Sequence, residues 1–400
     1  MAAAMLIAET FGILVAIFFG KMIEKKLKEE GIRGHPYKLL FGNLKKMMKM
    51  SKAAKKQPLL NHDIIPWVNP LPLHLSNTCN KMFPAFCVCC DEMINRWEEL
   101  VSKRGSCELD VADEFLNLGG DVISRAAFGS NIEEGRSIFL LQKEFFTTTS
   151  NRKAKHIHKK MISLIKGIIE KREDDVQRGV SDNDDVLGLL LKARNEENKS
   201  KVVGGRGLST DYVIEECKEF YFAGQDTPTA LLSWTMVVLS MHPEWQDRAR
   251  NEVYQAIGKN KPKFDDLNHH RLMNMIFQEV LEIYPAIFLI RSTSKSTKLG
   301  DMTIPPGVQV WLWGDDALMF NPESFSEGVS KAAKEQLYFP FGWGPRMCIG
   351  LNFGMMEAKL ILSQILQRFW FELSPSYTHA PQLTLIMKPQ YGAQIILHKH

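Results

Sequence analysis

Residues 341–350 read Phe-Gly-Trp-Gly-Pro-Arg-Met-Cys-Ile-Gly. They run into a stretch in which Leu351, Phe353, Met355, Ala358, Leu360, Ile365 and Phe369 are apolar, a spacing that predicts an amphipathic helix. Cys348 then stands at a helix N-terminus, where the helix dipole and free amides favour thiolate over thiol. Gly342, Gly344 and Gly350 let backbone N–H groups approach the sulfur, and Arg346 adds a nearby positive charge. The plain alternative is a buried structural thiol. Against it, Phe-x-x-Gly-x-x-x-Cys-x-Gly is expected by chance on the order of 10⁻³ times in a chain of this composition.

A second pair of chemical groups, Asp226 and Thr227, lies in Ala223-Gly224-Gln225-Asp226-Thr227-Pro228. The surrounding Thr210–Met241 has a helical pattern well above average length, with Ser209 or Thr210 as cap and Asp211 in the first turn. Pro228 has no N–H for the Gly224 carbonyl and its ring crowds that oxygen. The helix is therefore expected to bend or open here. A simple proline kink accounts for that; so does a groove widened for a ligand, with a hydroxyl and a carboxyl ready to handle protons.

The other elements follow from periodicity. Helices are expected at roughly 79–102, 112–128, 155–172, 243–257 and 272–283 as well as 210–241 and 351–369. Residues 170–209 read as a polar connector with a short helix at Val186–Leu191. Strands are expected only in the C-terminal half, at Ile287–Thr293, Val308–Leu312, Leu383–Met387 and Ala393–Leu397. The fold class is thus mainly α with minor β.

The chain has 400 residues, 45% of them hydrophobic and 24% charged. It is too apolar and too balanced in charge to be disordered. Seven cysteines are too sparse for a disulfide scaffold. Cys79, Cys87, Cys89 and Cys90 have no second Cys/His pair at finger spacing, so they read as buried thiols. The net charge of +4 is uneven: Lys21–Lys56 has 12 Lys/Arg against 3 acids, leaving the rest near −5. Before that block, Ala2–Phe19 is apolar except for Glu9, Thr10 and Gly12. As a helix it would rise about 27 Å, close to a bilayer core. An apolar run followed by a basic flank fits an uncleaved anchor with its flank in the cytosol. Leu39–Met50 repeats apolar residues at helical spacing between lysines, as a surface helix does. The basic segment reads as membrane electrostatics and not as a nucleic-acid site, because it adjoins the apolar run.

The decapeptide resembles the haem-binding loop of the cytochromes P-450, Phe-x-x-Gly-x-Arg-x-Cys-x-Gly; Phe341, Gly344, Arg346, Cys348 and Gly350 match. Ala223-Gly224-x-Asp226-Thr227 matches the family's distal helix motif. Phrases such as Glu-Glu-Cys-Lys-Glu-Phe-Tyr-Phe-Ala-Gly-Gln and Phe-Glu-Leu-Ser-Pro-Ser-Tyr are similar to plant membrane-bound members of the secologanin synthase type. The resemblance implies heme b with iron held by the Cys348 thiolate, which favours O–O cleavage. It implies Arg346 and Arg291 as propionate partners, and Asp226 with Thr227 as proton carriers to dioxygen. It implies a monooxygenase that takes O2 and NADPH electrons through a reductase and acts on a lipophilic small molecule such as a terpenoid. The reductase is expected to meet Lys331, Lys334, Arg346 and Lys359. The expected organisation is a membrane anchor at 1–20, a basic linker and amphipathic helix at 21–60 and the catalytic domain at 61–400, on the cytosolic face of the endoplasmic reticulum.

The chain also departs from the family. Its Glu-x-x-Arg motif is Glu279-Val280-Leu281-Glu282, and its Pro-Glu-Arg-Phe is Pro322-Glu323-Ser324-Phe325. Glu279 has therefore lost two arginines and is expected to protonate or find water if buried. Between His62 and Lys81 the first sheet, a substrate-facing loop and the Trp-x-x-x-Arg helix are not recognisable. Shorter losses fall near Phe145–Lys155 and Val310–Gly314. These departures carry the second expectation, a relic that binds haem weakly and does not turn over.

Overall fold

The computed structural model describes residues 71–180, 184–199, 209–287, 290–292, 296–299, 302–304, 309–311, 320–329, 338–342, 347–383 and 386–400. Contacts divide the chain into two units, one of residues 1–63 with 291–310, the other of residues 64–290 with 311–400.

The larger unit is helical. Helix α1 spans Leu71–Arg104 and α2 spans Val111–Val122, capped by the Asp110 side chain on Ala112 N. A π turn, Ile123–Ala127, continues α2. Then come α3 (Ile132–Thr147), α4 (Asn151–Gln177), α5 (Val186–Lys199) and α6 (Thr210–Met241). Pro243 opens α7 (Pro243–Ala256), and α8 (Arg271–Ile283) follows a short 3-10 turn. Helix α9, Leu351–Arg368, carries the segment after Cys348. The core gathers where these helices face one another, around the fully buried Trp97, Phe115, Tyr221, Trp234, Phe277 and Phe369. Phe128 stacks on Tyr221 with centroids 4.2 Å apart, and Phe86 meets Phe353 edge-on at 4.8 Å. Truncating an aromatic of this kind costs about 3–5 kcal/mol.

One three-stranded antiparallel sheet closes this unit, with strand order β1 (Ser106–Asp110), β9 (Gln394–Lys399), β6 (Phe369–Leu373). Cys107 faces Leu397 and Phe371 faces Leu397 from the other side. Strands β7 (Pro381–Leu383) and β8 (Met387–Pro389) form a hairpin in which Gln382 pairs with Lys388. The smaller unit's described part consists of short strands. Strand β3 (Thr297–Leu299) pairs antiparallel with β4 (Met302–Ile304). Strand β2 (Ile290–Ser292), starting at the unit boundary, pairs with β5 (Gln309–Trp311).

Several expectations need correction. Strand β1 lies in the first third of the chain, so strands are not confined to the C-terminal half. Phe369 is not the last residue of α9 but opens strand β6, which was not foreseen: Phe369 and Phe371 are buried while Trp370 and Glu372 are exposed, a period of two. Leu383–Met387 is not one strand, because β7 ends at Leu383 and β8 begins at Met387. Helix α3 was not foreseen, although Asn131 and Glu134 form a capping box at its start. The connector after residue 170 is shorter than expected, since α4 runs to Gln177 and α5 to Lys199. The expected anchor and basic linker, residues 1–60, lie outside the described residues. Among the described residues no helix is long and apolar enough to cross a membrane.

Candidate active site

Cys348 lies just before α9 and is exposed. Its own N–H donates to the Phe341 carbonyl at 2.7 Å, which closes the loop. Gly342 makes that closure possible with φ of 76°, a left-handed conformation that favours glycine. The Cys348 sulfur accepts the Gly350 N–H. Desolvation by the surrounding protein pushes the thiol up and that N–H pulls it down. As a free group Cys348 therefore keeps its proton more tightly than a cysteine in water, and metal binding would release it. Phe341 is half-buried and packs against the main core. Gly344 and Arg346 lie outside the described residues. Arg291 is in strand β2 and its side chain lies outside what is described.

The distal motif sits on α6, which runs through Pro228 as one helix. The helix is not broken at the proline, and threonine hydroxyls bond the carbonyls on either side of Gly224. Thr227 Oγ1 donates to Ala223 O at 2.7 Å, and Thr229 Oγ1 lies 2.7 Å from Gln225 O and 3.0 Å from Phe115 O. Gln225 donates to Leu116 O at 3.0 Å, so it joins α2 to α6. Gly224 is needed for this approach: a Cβ there would lie 2.4 Å from Ile123 Cδ1. Ala223, one residue away, is exposed. In this rotamer the Thr227 proton is committed to Ala223 O, so the oxygen offers only its lone pairs to a neighbour.

Asp226 is not bonded to Thr227. Its Oδ1 accepts from Lys388 Nζ at 2.6 Å, with both side chains partly exposed. Nothing in the sequence pointed to Lys388, which is 162 residues away. Strand β8 places it there, and Trp234 on α6 fixes β8 by donating to Met387 O at 3.0 Å. Cys348 and the distal motif meet through their helices. A Cβ on Gly354, in the second turn of α9, would lie 3.7 Å from Pro228 Cγ. The Cys348 helix thus packs directly against the residue after Thr227.

Glu279 behaves differently from the expectation of an unsupported carboxylate. It is buried, with Oε1 accepting from Asn321 N at 2.9 Å and Oε2 accepting from Ser324 Oγ at 2.9 Å. Desolvation outweighs these two donors and leaves its pKa raised, so the carboxyl has partners but still holds a proton more readily than one in water. Ser324 thus supplies a hydrogen bond where the family pattern has an arginine. Of the expected reductase-facing lysines, Lys359 turns inward: it is half-buried, donates to Leu267 O at 3.3 Å, and burial lowers its pKa. Lys331 and Lys334 lie outside the described residues. Cys79, Cys89 and Cys90 are buried and Cys87 half-buried; burial pushes the Cys89 thiol up to about 12.

The donor set fits a soft metal held through one sulfur. The Cys348 thiol is exposed, receives an N–H and adjoins the N-terminus of an 18-residue helix. The cytochrome P-450 family model matches residues 136–397. Cytochrome P-450 CYP72A616 of Paris polyphylla is 40% identical, over 95% of this chain and 94% of that one. Secologanin synthase 1 of Catharanthus roseus is 37% identical over 96% and 94%. The 11-oxo-beta-amyrin 30-oxidase of Glycyrrhiza uralensis is 46% identical over 83% and 69%. Among solved structures, the cytochrome P-450 CYP102L1 superposes with a TM-score of 0.69 at 22% identity, over 83% of this chain and 80% of that one. The chain belongs to the cytochrome P-450 family, with the mainly helical fold of its haem domains. Within it the chain is a plant-type monooxygenase of the secologanin synthase group.

Proposed function

We propose that the protein oxidises a terpenoid or similar lipophilic molecule, inserting one atom of O2, with Cys348 as the iron ligand. The observation that carries this is the junction of α9 with α6: an exposed thiol just ahead of one helix, the Thr227–Pro228 step on the other, packed through Gly354. A haem held by Cys348 supplies the oxygen chemistry, the thiolate's electron donation favouring O–O cleavage. Gly350 N–H steadies the sulfur as an anion. The exposed Ala223 leaves room beside the hydroxyl. Thr227 receives a hydrogen bond on its oxygen and donates only after leaving Ala223 O. Asp226 supplies the proton by way of its exchange with Lys388 and water. By the family pattern, Phe341, Gly344, Gly350, Ala223 and Gly224 would be haem-contacting residues, and Arg346 and Arg291 would be propionate partners.

Electrons come from NADPH through a reductase, and residues 1–20 anchor the chain at the endoplasmic reticulum. The family's electron supply and the apolar run at Ala2–Phe19 support these points. The terpenoid class is supported by the similarity to secologanin synthase and to the 11-oxo-beta-amyrin 30-oxidase. The Soret band of the reduced, carbon-monoxide-bound protein tests the ligand. It is expected at the position of thiolate ligation, and Cys348→Ala should lose it. A band at the position of neutral thiol or imidazole ligation refutes the assignment. Haem far below stoichiometric would favour the weakly binding relic instead.

A further inference from the structure

Four aromatic residues from distant parts of the chain meet beside α6. Trp234 stands seven residues after Thr227, about 10 Å further along the helix and only about 20° round it, so it shares the face of α6 that carries Thr227. It is fully buried, and its Nε1–H donates to Met387 O at 3.0 Å. Tyr284, the residue that ends α8, lies flat against it, with ring centroids 4.0 Å apart and planes 5° from parallel. Aromatic packing favours centroids about 4.5–7 Å apart; this closer overlap is the geometry in which an electron passes readily between rings. The Tyr284 hydroxyl lies 3.4 Å from His379 Nε2, and the other nitrogen of that imidazole, Nδ1, lies 3.0 Å from the Tyr377 hydroxyl. His379 is exposed and the two tyrosines are half-buried. An indole in the core is thus joined to an exposed imidazole through one phenol. The two links differ in chemistry. The indole N–H faces a carbonyl, which takes no proton. The phenol faces an imidazole, which does. Burial raises the Tyr284 pKa, so the resting phenol keeps its proton.

We propose that Trp234, Tyr284 and His379 form a relay that carries oxidising equivalents from the Thr227 face of α6 to the surface, with Tyr377 as its positioning residue. Its task arises when the haem centre is oxidised with no substrate to receive the oxygen. One electron leaves Trp234 for that centre, and one electron from Tyr284 refills the indole. As Tyr284 gives it up, its O–H bond breaks, the proton joins His379 Nε2 and a neutral phenoxyl radical remains. Oxidation makes the phenol strongly acidic, which draws the hydroxyl and Nε2 together. His379 accepts there only as the tautomer protonated on Nδ1, and donation of Nδ1–H to Tyr377 Oη selects that tautomer. A thiol or ascorbate in solution then gives a hydrogen atom to the Tyr284 oxygen, and His379 returns its extra proton to water. The balance is one electron delivered to the haem centre and one proton released, both taken from the solution reductant. The inference rests on the haem reading of the proposed function.

The test mixes the haem-loaded full chain with hydrogen peroxide in the absence of substrate and identifies the trapped radical by electron paramagnetic resonance. Ring-deuterated tyrosine reports all eight tyrosines together, so variants locate the spin. The wild type is expected to give a tyrosyl radical. Tyr284→Phe keeps the stacked ring and removes the hydroxyl; the tyrosyl signal should fall several-fold and a tryptophan radical should take its place. Trp234→Phe should lower both signals, and peroxide should bleach its haem several-fold faster. His379→Gln changes only an exposed side chain, so folding is not at issue; the tyrosyl signal should rise more slowly and lose its solvent deuterium isotope effect. A tyrosyl signal of equal size in Tyr284→Phe and of equal rate in His379→Gln overturns the relay and leaves the cluster as packing. So does a wild type whose haem bleaches without any aromatic radical. If the chain holds no haem, the iron-ligand reading fails by itself, and flash-generated tris(bipyridyl)ruthenium(III) replaces peroxide as the oxidant. Under it the tyrosyl absorbance should still be smaller in Tyr284→Phe and form more slowly in His379→Gln than in the wild type; no difference overturns the relay.

Discussion

Gly224 and Ser324 show how single residues decide the site. The Gly224 position touches Ile123 so closely that a methyl group would overlap it at 2.4 Å. Gly224→Ala is expected to destabilise the fold by about 1–3 kcal/mol through overpacking. Ile123→Val, which removes the overlapping Cδ1, should recover part of that loss in a double-mutant cycle. Strict additivity in denaturant titrations would refute the contact. Ser324→Ala leaves a buried Glu279 oxygen without its hydroxyl donor, a loss of about 1–3 kcal/mol. Ser324→Thr keeps the donor and should stay near wild type; equal losses in both would mean that Glu279 does not depend on the hydroxyl. The two substitutions that read as damage in the sequence are therefore not equivalent. Ser324 is re-employed as a donor to Glu279, whereas Glu282 contributes an additional carboxylate near Tyr338.

At the scale of elements, His270 ties α8 to α9. It is fully buried, immediately precedes α8, and lies 3.2 Å from Ser363 Oγ on α9, while its Nδ1 has no partner. Burial lowers its pKa from 6.5 to about 4, with Lys359 adding to the effect. The folded state thus holds His270 neutral while the unfolded chain binds a proton below pH 6.5. Stability is full above that pH and falls as pH drops towards 4, by on the order of 3 kcal/mol in all. Unfolding free energies measured from pH 7 to 4 should show this slope, and His270→Asn should flatten it. An unchanged slope would place the effect elsewhere. Helix α6 gives the other lesson at this scale. A proline in mid-helix reads as a break, but Thr227 and Thr229 turn their hydroxyls back onto the helix. This back-bonding ties both hydroxyls to the helix backbone and turns the Thr227 hydroxyl towards Ala223 O.

At the scale of the whole molecule, haem should act as a folding ligand. A group bound only by the native state stabilises it by RT ln(1 + [L]/Kd), about 2.7 kcal/mol at a hundredfold excess over Kd. Added haem should raise the melting temperature of the wild type by several degrees and leave Cys348→Ala nearly unmoved. Because Cys348 is exposed, that variant should melt like the wild type without haem. An equal rise in both would mean that haem binds away from Cys348.

The sequence by itself determined the local things. It fixed the helical periodicities, the cysteine at the head of α9 and the Asp226–Thr227 pair, because these depend on neighbours within one or two turns. Helix α3 was also written locally, in the Asn131–Glu134 capping box. Only the tertiary structure decided which distant groups meet. Strand β1 exists because β9 pairs with it from the other end of the chain, and five residues alone carry too weak a pattern to show it. Lys388 reaches Asp226, Ser324 reaches Glu279 and Lys359 turns inward for the same reason. Such contacts are set by how faces pack, and packing brings together residues whose spacing in the chain holds no trace of the encounter.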